Sequence, residues 1–320
     1  MEIRSVLLIG GTGFIGSHLA NRLSAQGVRV LIPTRRYERR KAVTLLPTID
    51  LIEADVYSET TLERLMQGID AVVNLVGTLH SPSGAPYGRG FARAHVELPQ
   101  KIVAACKKAG VPRLIHISAI GAASDAPSEY LRSKAAGEEA VRAAGDELAW
   151  TIFRPAVVFG PQDRFLNTFA CLARSFPVLP LAGSTSRFQP VFVEDVGEAI
   201  ARSLPREDAF AATYELAGPT VYTLRELVEF ASEQGAGKRR AILPISGALA
   251  SLQAFVLECL PGGIMSRDNL RSLQRDTVAS GAPMPFGIVP QSLEAIAPAY
   301  LGSHTAQFAY DDFRRKARRV

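Results

Sequence analysis

Cysteine is scarce and scattered in this sequence. Only three of the 320 residues are cysteine, and no two of them form a Cys-x-x-Cys pair. This pattern excludes a disulfide-rich secreted scaffold and argues against a metal site built on sulfur. The five histidines are also dispersed, so we expect structural or surface roles for them and no bound metal.

Long apolar runs are missing as well. The first one, Val6 to Ile9, is short and leads directly into a glycine cluster, unlike a secretory signal. No segment reaches the roughly 20 apolar residues that a membrane-spanning helix needs. The longest candidate, residues 245–260, is interrupted by Gln253 and Glu258. We therefore expect a cytoplasmic protein without a membrane span.

Neither sign of charge is in large excess. Lys and Arg total 36 against 31 Asp and Glu, and 47% of the residues are hydrophobic. These values are typical of a folded globular protein and exclude wholesale disorder. Basic residues do not alternate with aromatic ones, so nucleic acid is not an expected partner. Five basic side chains fall in the last ten residues. This tail is either a solvated terminus or a contact for an anionic surface.

Strand-like and helix-like patterns alternate through the first half of the chain, as in β-α-β units that build a parallel sheet. We predict an α/β fold in which residues 1–158 form a Rossmann doubly wound parallel sheet that residues 188–217 rejoin. Prolines and irregular stretches are frequent later, so residues 159–187 and 218–320 are predicted to form a smaller C-terminal lobe. The predicted strands are 6–9, 28–32, 51–54, 71–76, 114–118 and 149–153, and the predicted helices are 14–26, 61–67, 91–109 and 129–144.

Glycines cluster at the junction of the first predicted strand and the first predicted helix. Glycines there allow a tight turn and bring backbone N–H groups close to a pyrophosphate, which the helix N-terminus stabilises. Because the motif follows a strand and opens a helix, we interpret it as a dinucleotide-binding site. The segment reads Gly10-Gly11-Thr12-Gly13-Phe14-Ile15-Gly16.

The end of the second predicted strand has no acidic residue. NAD-specific enzymes usually place an acid there to bind the ribose 2′-hydroxyl, whereas this sequence has Arg35 and Arg36. The fixed fork of donors on an arginine suits a 2′-phosphate. The pair favours NADP(H) over NAD(H) as cofactor, with surface arginines in a polar loop as the open alternative.

Three residues form a candidate catalytic set. Tyr130 and Lys134 share one face of a predicted helix, and Ser118 ends a predicted strand. A tyrosine is a poor acid or base at neutral pH, and a neighbouring ammonium group lowers its pKa by stabilising the phenolate. We expect Lys134 to do this and to bind the nicotinamide ribose, while Ser118 orients a substrate carbonyl or hydroxyl.

The motifs together resemble an extended or atypical short-chain dehydrogenase/reductase, which is also the pattern of NAD-dependent epimerases and dehydratases. Asp55-Val56 and Asn74-Leu75-Val76-Gly77 add to this resemblance. Further segments are similar to the family of the nucleotide-binding accessory subunit of respiratory complex I, alpha-subcomplex subunit 9, and its bacterial relatives. They are His95-Val96-Glu97, residues 115–119, 153–163 and 187–191, and Val193-Glu194-Asp195-Val196.

The resemblance implies roles for further residues around the cofactor. Asp55 and Val56 would lie near the adenine, and Leu75, Val76 and Gly77 along the cofactor. Pro155 would lie beside the nicotinamide, with Val157 also in the cofactor set. The helical asparagine that commonly completes the catalytic tetrad is replaced by His95, which puts the usual proton-relay water in doubt.

These observations lead to one expected function and two alternatives. We expect NADPH-dependent reduction of a hydrophobic carbonyl or quinone-related compound. The first alternative is a non-catalytic, nucleotide-binding accessory or assembly subunit associated with respiratory complex I. The second is a nucleotide-sugar epimerase or dehydratase. Apolar residues recur at helical spacing in residues 245–260, which indicates either core packing or a face for a lipid, a quinone or the inner membrane.

Overall fold

The computed structural model describes residues 1–35, 46–251, 253 and 266–302. Arg36, the basic tail and half of the apolar segment 245–260 lie outside these residues. The chain divides into two compact units. Unit 1 comprises Met1–Pro155, Val193–Leu216 and Ala279–Val289, and unit 2 comprises Ala156–Phe192, Ala217–Val278 and Pro290–Val320.

The strands in chain order are β1 Ser5–Ile9, β2 Arg29–Thr34, β3 Ile49–Glu53, β4 Ala71–Asn74, β5 Arg113–Ile117, β6 Ala149–Pro155, β7 Val158–Phe159, β8 Val178–Ala182, β9 Arg187–Phe188, β10 Val191–Phe192, β11 Ala212–Leu216, β12 Tyr222–Thr223 and β13 Ala241–Ile245. The α-helices are α1 Phe14–Ala25, α2 Glu59–Leu65, α3 Arg89–Phe91, α4 Leu98–Ala109, α5 Glu129–Arg142, α6 Leu166–Ser175, α7 Val193–Ser203, α8 Leu224–Ala236, α9 Arg267–Ser272, α10 Leu293–Ile296 and α11 Pro298–Leu301. A π-helical segment, Ala92–Glu97, joins α3 to α4.

Unit 1 is built on a seven-stranded sheet with the order β11-β6-β5-β4-β1-β2-β3. Every neighbouring pair in it is parallel. Parallel strands are covered on both faces, so their sequences read as nearly continuous apolar runs. In β1, Val6, Leu7, Leu8 and Ile9 are all fully buried. The predicted Rossmann-like α/β fold is confirmed.

The strand order reverses between β1 and β4. The chain runs from β1 outward to β3 on one side, then returns and adds β4 against the free edge of β1. In open parallel sheets, ligands bind beside the carboxyl ends of the strands at such a switch point. The glycine segment after β1 and the residues after β4 lie at this point.

A buried arginine fastens the returning segment of unit 1 to the sheet. Arg113, at the start of β5, is fully buried and donates to the carbonyl oxygens of Ser203 (3.0 Å) and Leu204 (3.3 Å) at the end of α7. It also donates to Ala149 O (2.7 Å) and Thr151 Oγ1 (2.6 Å) on β6. Burial lowers the pKa of Arg113 to about 10, which still leaves it charged at neutral pH.

Unit 2 combines short two-stranded sheets with the helices α6 and α8. Gly235 of α8 lies so close to α6 that a Cβ atom there would be 2.6 Å from Ala170 Cβ. Strand β8 pairs with β13, β7 with β10 and β9 with β12. Among the described residues, no helix is long and apolar enough to cross a membrane, and no group of three or more His, Cys, Asp or Glu side chains could hold a metal.

The chain crosses between the units at positions that differ from the predicted ones. It re-enters unit 1 at Val193, after β9 and β10 have paired with other strands of unit 2. A further segment of unit 1, Ala279–Val289, was not predicted. Residues 91–109 are helical throughout, as predicted. Within them, Ala92–Glu97 have π-helical hydrogen bonding.

Candidate functional site

The glycine segment forms a tight turn at the start of α1. Gly10 has φ +89°, a conformation that side chains disfavour, and a Cβ atom there would lie 3.1 Å from Val76 N. At Gly16 a Cβ atom would lie 2.5 Å from Gly10 O. Helix α1 begins after Gly13 and has no side-chain cap. Among the described residues, the backbone N–H groups at this N-terminus have no side-chain acceptor, and the glycine turn beside them leaves no room for side chains. Both features fit the pyrophosphate of a dinucleotide.

The ends of β2 and β3 are joined by a hydrogen bond from Ala54 N to Thr34 O of 3.0 Å. Arg35 follows directly and is exposed. Asp55 is also exposed, and its Oδ1 accepts from Tyr57 N at 3.0 Å. The structure therefore places Arg35 and the Asp55-Val56 pair at the neighbouring ends of β2 and β3. Arg36 is not among the described residues.

The residues after β4 connect the glycine turn to α5. Leu75 N donates to Ile9 O at 2.8 Å, and Val76 N donates to Asn74 Oδ1 at 3.2 Å. A Cβ atom at Gly77 would lie 3.4 Å from Lys134 Nζ. Gly77 thus brings the predicted cofactor path beside the predicted catalytic lysine.

Helix α5 presents Tyr130 and Lys134 on one face, as its periodicity predicts. Ser128 caps the helix by accepting a hydrogen bond from Leu131 N at 3.3 Å. Lys134 Nζ donates to Ile117 O at 2.9 Å, which fixes the ammonium group against the end of β5. The Tyr130 ring lies 5.5 Å from the His95 ring and 6.1 Å from the ring of Phe91.

Burial sets the pKa values of this pair. It raises the pKa of Tyr130 to about 12 and lowers that of Lys134 to about 8. The expectation that Lys134 depresses the pKa of Tyr130 therefore does not describe this structure, because the cost of burying a phenolate decides the shift. Tyr130 keeps its proton at neutral pH.

His95 lies within the π-helical segment and is held by two hydrogen bonds. Its Nε2 accepts from Thr78 N at 3.0 Å, and its Nδ1 bonds to Ser133 Oγ at 2.8 Å. Ser133 Oγ donates in turn to Tyr130 O at 2.7 Å, so the proton of the imidazole is assigned to Nδ1. Burial, followed by the charge of Lys134, lowers the pKa of His95 to about 2. A neutral His95 positions the helix of Tyr130.

The Ser118 side chain is buried and points toward α5. In the part of the chain that the structure describes, its Oγ has no hydrogen-bond partner. The hydroxyl lies on the side of Glu138, whose pKa it helps to lower, although the two groups do not meet the geometry of a hydrogen bond. The structure therefore brings Tyr130 and Lys134 together but does not hydrogen-bond Ser118 to either.

Pro155 and Val157 fall on opposite sides of the boundary between the units. Pro155 ends β6 in unit 1, where its carbonyl accepts from Ile120 N at 3.1 Å. Val157 belongs to unit 2, where its carbonyl accepts from Val191 N at 3.0 Å.

Sequence reasoning missed a buried ion-pair cluster beneath the candidate site. Glu138, one turn after Lys134, has a side chain only 1% exposed. Arg154 of β6 donates to both of its oxygens, at 2.7 and 2.6 Å, and Arg142 donates at 2.8 Å. Burial opposes ionisation of Glu138, but these hydrogen bonds outweigh it and hold the pKa of the carboxyl below 4.5. The cluster locks α5 to β6.

Replacing Glu138 by Gln should destabilise the protein by about 3 kcal/mol at pH 7, because two arginines lose their buried partner. The folded pKa of Glu138 lies below 4.5, so its stabilisation is present above that pH and is lost as pH falls through the folded pKa. The gap between wild type and Glu138→Gln should therefore narrow as pH falls below the usual titration range of a glutamate and through the lowered folded pKa. Urea unfolding from pH 3.5 to 7 measures both effects.

Glu147→Gln is the matched control for this series. Glu147 forms one ion pair with Lys107 and is 72% exposed, so its replacement should change the unfolding free energy by less than about 0.5 kcal/mol. A gap between wild type and Glu138→Gln that stays constant with pH would contradict the assignment.

Comparison with known proteins places the chain among nucleotide-binding proteins. The profile of the NAD dependent epimerase/dehydratase family matches residues 6–217. Subunit 9 of the mitochondrial NADH dehydrogenase (ubiquinone) 1 alpha subcomplex from Arabidopsis thaliana is 32% identical over 312 residues, or 92% of this chain and 76% of that protein. A ceramide reductase from Caulobacter vibrioides is 30% identical over 296 residues, which cover 88% of each chain.

The solved structures share the fold. DesIV, a dTDP-glucose 4,6-dehydratase from Streptomyces venezuelae with NAD and TYD bound, superposes with a TM-score of 0.73. The superposition covers 98% of both chains at 20% sequence identity. Similarity at this level extends to the fold and not to the substrate.

Proposed function

This chain belongs to the NAD dependent epimerase/dehydratase family, and from that membership we propose that it is an NADPH-dependent reductase of a hydrophobic carbonyl or quinone-related compound. The membership confirms the resemblance to extended short-chain dehydrogenases and reductases that its motifs indicate. The relatives include complex I subunits and a reductase.

One observation supports the proposal that the protein reduces a carbonyl compound. A protonated tyrosine and a lysine lie on one helix face, and the lysine lies beside the strand ends where a dinucleotide would bind. Reduction of a carbonyl needs a proton donor at the oxygen as the carbon receives hydride. Tyr130, whose pKa is about 12, holds that proton at neutral pH.

The roles of the site residues follow from this arrangement. The reduced nicotinamide supplies a hydride when it is bound. Tyr130 Oη–H donates its proton to the carbonyl oxygen, and solvent later returns a proton to the phenolate. Lys134, whose ammonium group is fixed against the end of β5 by its hydrogen bond to Ile117 O, bonds the ribose. Ser118 can orient the carbonyl only after its hydroxyl rotates away from the Glu138 carboxylate and toward the substrate.

Two features support NADPH as the cofactor and a lipid-like carbonyl compound as the substrate. Arg35 at the end of β2, followed in sequence by Arg36, suits the 2′-phosphate of NADPH. The similarity to a ceramide reductase over 88% of this chain supports a lipid-like carbonyl substrate. We also propose a cytoplasmic location.

The test uses the purified protein and two nucleotides. We expect tighter binding of NADPH than of NADH, and NADPH oxidation with at least one member of a panel of quinones, isoprenoid carbonyls and long-chain ketones. Gly16→Ala is the control, because its Cβ would lie 2.5 Å from Gly10 O and distort the turn. It should bind neither nucleotide. Interconversion of UDP-sugars without net NADPH oxidation would assign an epimerase instead.

A second function is favoured by a specific observation. The chain is 32% identical to a complex I subunit over 92% of its length. The same fold could therefore hold its nucleotide as an accessory or assembly subunit of a respiratory complex. Tight NADPH binding without oxidation of NADPH by any compound in the panel would favour this function over the reductase.

A further inference from the structure

A two-stranded ribbon in unit 2 exposes large apolar side chains. The ribbon consists of β8 and β13, which pair in parallel from Val178 and Ala241 to Ala182 and Ile245. Val178 is 46% exposed and Leu243 is 56% exposed. The large hydrophobic side chains exposed on and beside the ribbon are Phe176, Val178, Leu243 and Leu249, which make up four of the eight exposed by the described residues.

The two strands of the ribbon, with Phe176 and Pro177 before β8 and residues 246–250 after β13, carry no charge. Residues 176–182 read Phe-Pro-Val-Leu-Pro-Leu-Ala, and residues 241–250 contain only apolar residues, serine and glycine. A solvated protein surface ordinarily has charged side chains among its apolar ones, whereas a continuous apolar patch marks a contact site. We call the exposed side of these two segments the ribbon face.

Basic residues border one end of the ribbon face. Because the two strands are parallel, the segment before β13 lies at the same end of the ribbon as the segment before β8. That segment is Lys238-Arg239-Arg240. Arg240 Nε donates to Ala173 O at 2.6 Å, which anchors it beside the end of α6, and Arg239 pairs with Glu233 while staying 70% exposed. The border keeps a net positive charge.

The chemistry of the ribbon favours a lipid bilayer over a strand of another protein as its binding partner. Pro180 on β8 and Pro244 on β13 remove backbone N–H donors, so the ribbon is poorly suited to pairing with a strand of another protein. A lipid bilayer requires no such donors. An apolar face bordered by basic side chains matches the interface of a membrane that contains anionic lipids. We propose that the ribbon face docks this protein on the surface of such a membrane.

The experiment measures sedimentation of the full chain with vesicles. The vesicles contain phosphatidylcholine alone or with about a quarter of phosphatidylglycerol. We expect binding to the anionic vesicles at low salt, weakened at 0.5 M salt because the basic border is screened. Leu243→Glu should lower the partition coefficient about tenfold, because it places a carboxylate in the apolar contact. Lys238→Glu should lower it about fivefold or more.

Val289→Glu is the matched control, since Val289 is 85% exposed and lies in unit 1, outside the ribbon face. It should bind vesicles as wild type does, and all variants should keep the wild-type melting temperature and NADPH affinity. The proposal is overturned if wild type stays in the supernatant with both vesicle types, or if Leu243→Glu and Val289→Glu bind equally. Concentration-dependent dimerisation that Leu243→Glu abolishes, without vesicle binding, would assign the ribbon face to a second copy.

Discussion

Tyr130→Phe should lower NADPH-dependent turnover about a thousandfold while leaving NADPH affinity unchanged, since general acid catalysis contributes roughly 100- to 10,000-fold. The substitution removes only the hydroxyl. The ring keeps its contacts with Phe91 and His95, and Ser133 still donates to the Tyr130 carbonyl. Steady-state oxidation of NADPH with the best substrate of the panel measures the effect, and nucleotide titration checks that binding survives.

Tyr214→Phe is the control for loss of a tyrosine hydroxyl. Tyr214 lies on β11 and donates to Asp208 O at 3.2 Å, outside the candidate site. Its replacement should leave turnover within about twofold of wild type. If Tyr130→Phe retained full turnover, the proton donor would be another group, and the observation that carries the reductase assignment would be lost.

Gly137→Ala should destabilise the protein by about 3 kcal/mol and lower turnover about 100-fold. A Cβ atom at Gly137 would lie 2.1 Å from His95 O. The obstacle is a backbone carbonyl in the π-helical segment, so no side-chain rotation can relieve it. Helix α5 must move by about 1 Å, and a shift of that size in a catalytic group costs about 100-fold in rate. Lys134, one turn earlier, moves with the helix.

Gly197→Ala provides the matched control in another helix. A Cβ atom at Gly197 in α7 would have its nearest contact at 3.9 Å, which is ordinary van der Waals distance. Since alanine favours helix over glycine, this variant should be as stable as wild type or up to about 1 kcal/mol more stable. Urea unfolding and turnover are measured for both variants. Equal stability of the two would mean that α5 does not approach the π-helical segment this closely.

The sheet of unit 1 was predictable because its strands are short apolar runs separated by turn and helix signals. The ends of β1, β2 and β5 lie within two residues of the predicted ones. The π-helical character of Ala92–Glu97 was not predictable. A Cβ atom at Gly137 in α5 would lie 2.1 Å from His95 O, so this segment packs against a residue more than forty positions away in the sequence.

The candidate site was predictable to the extent that it follows from local geometry. The i, i+4 spacing places Tyr130 and Lys134 on one face of α5, whatever surrounds the helix. The pKa values of both residues depend on how the whole fold buries them. The spacing alone could therefore not predict that the pKa of Tyr130 is raised. Glu138 was missed because a glutamate in a helix is ordinarily exposed. Its spacing of four residues from both Lys134 and Arg142 was the available signal.

The order of strands in unit 1 has a consequence for synthesis of the chain. Each strand after β1 is added to an edge that is still open, so none has to insert between two strands already paired. The last addition is delayed, because residues 156–211 separate β6 from β11. At about 5–20 residues per second, a ribosome needs roughly 3–12 s to deliver β11. During that interval the apolar edge of β6 is unpaired, and a nascent chain is most exposed to aggregation or chaperone capture there.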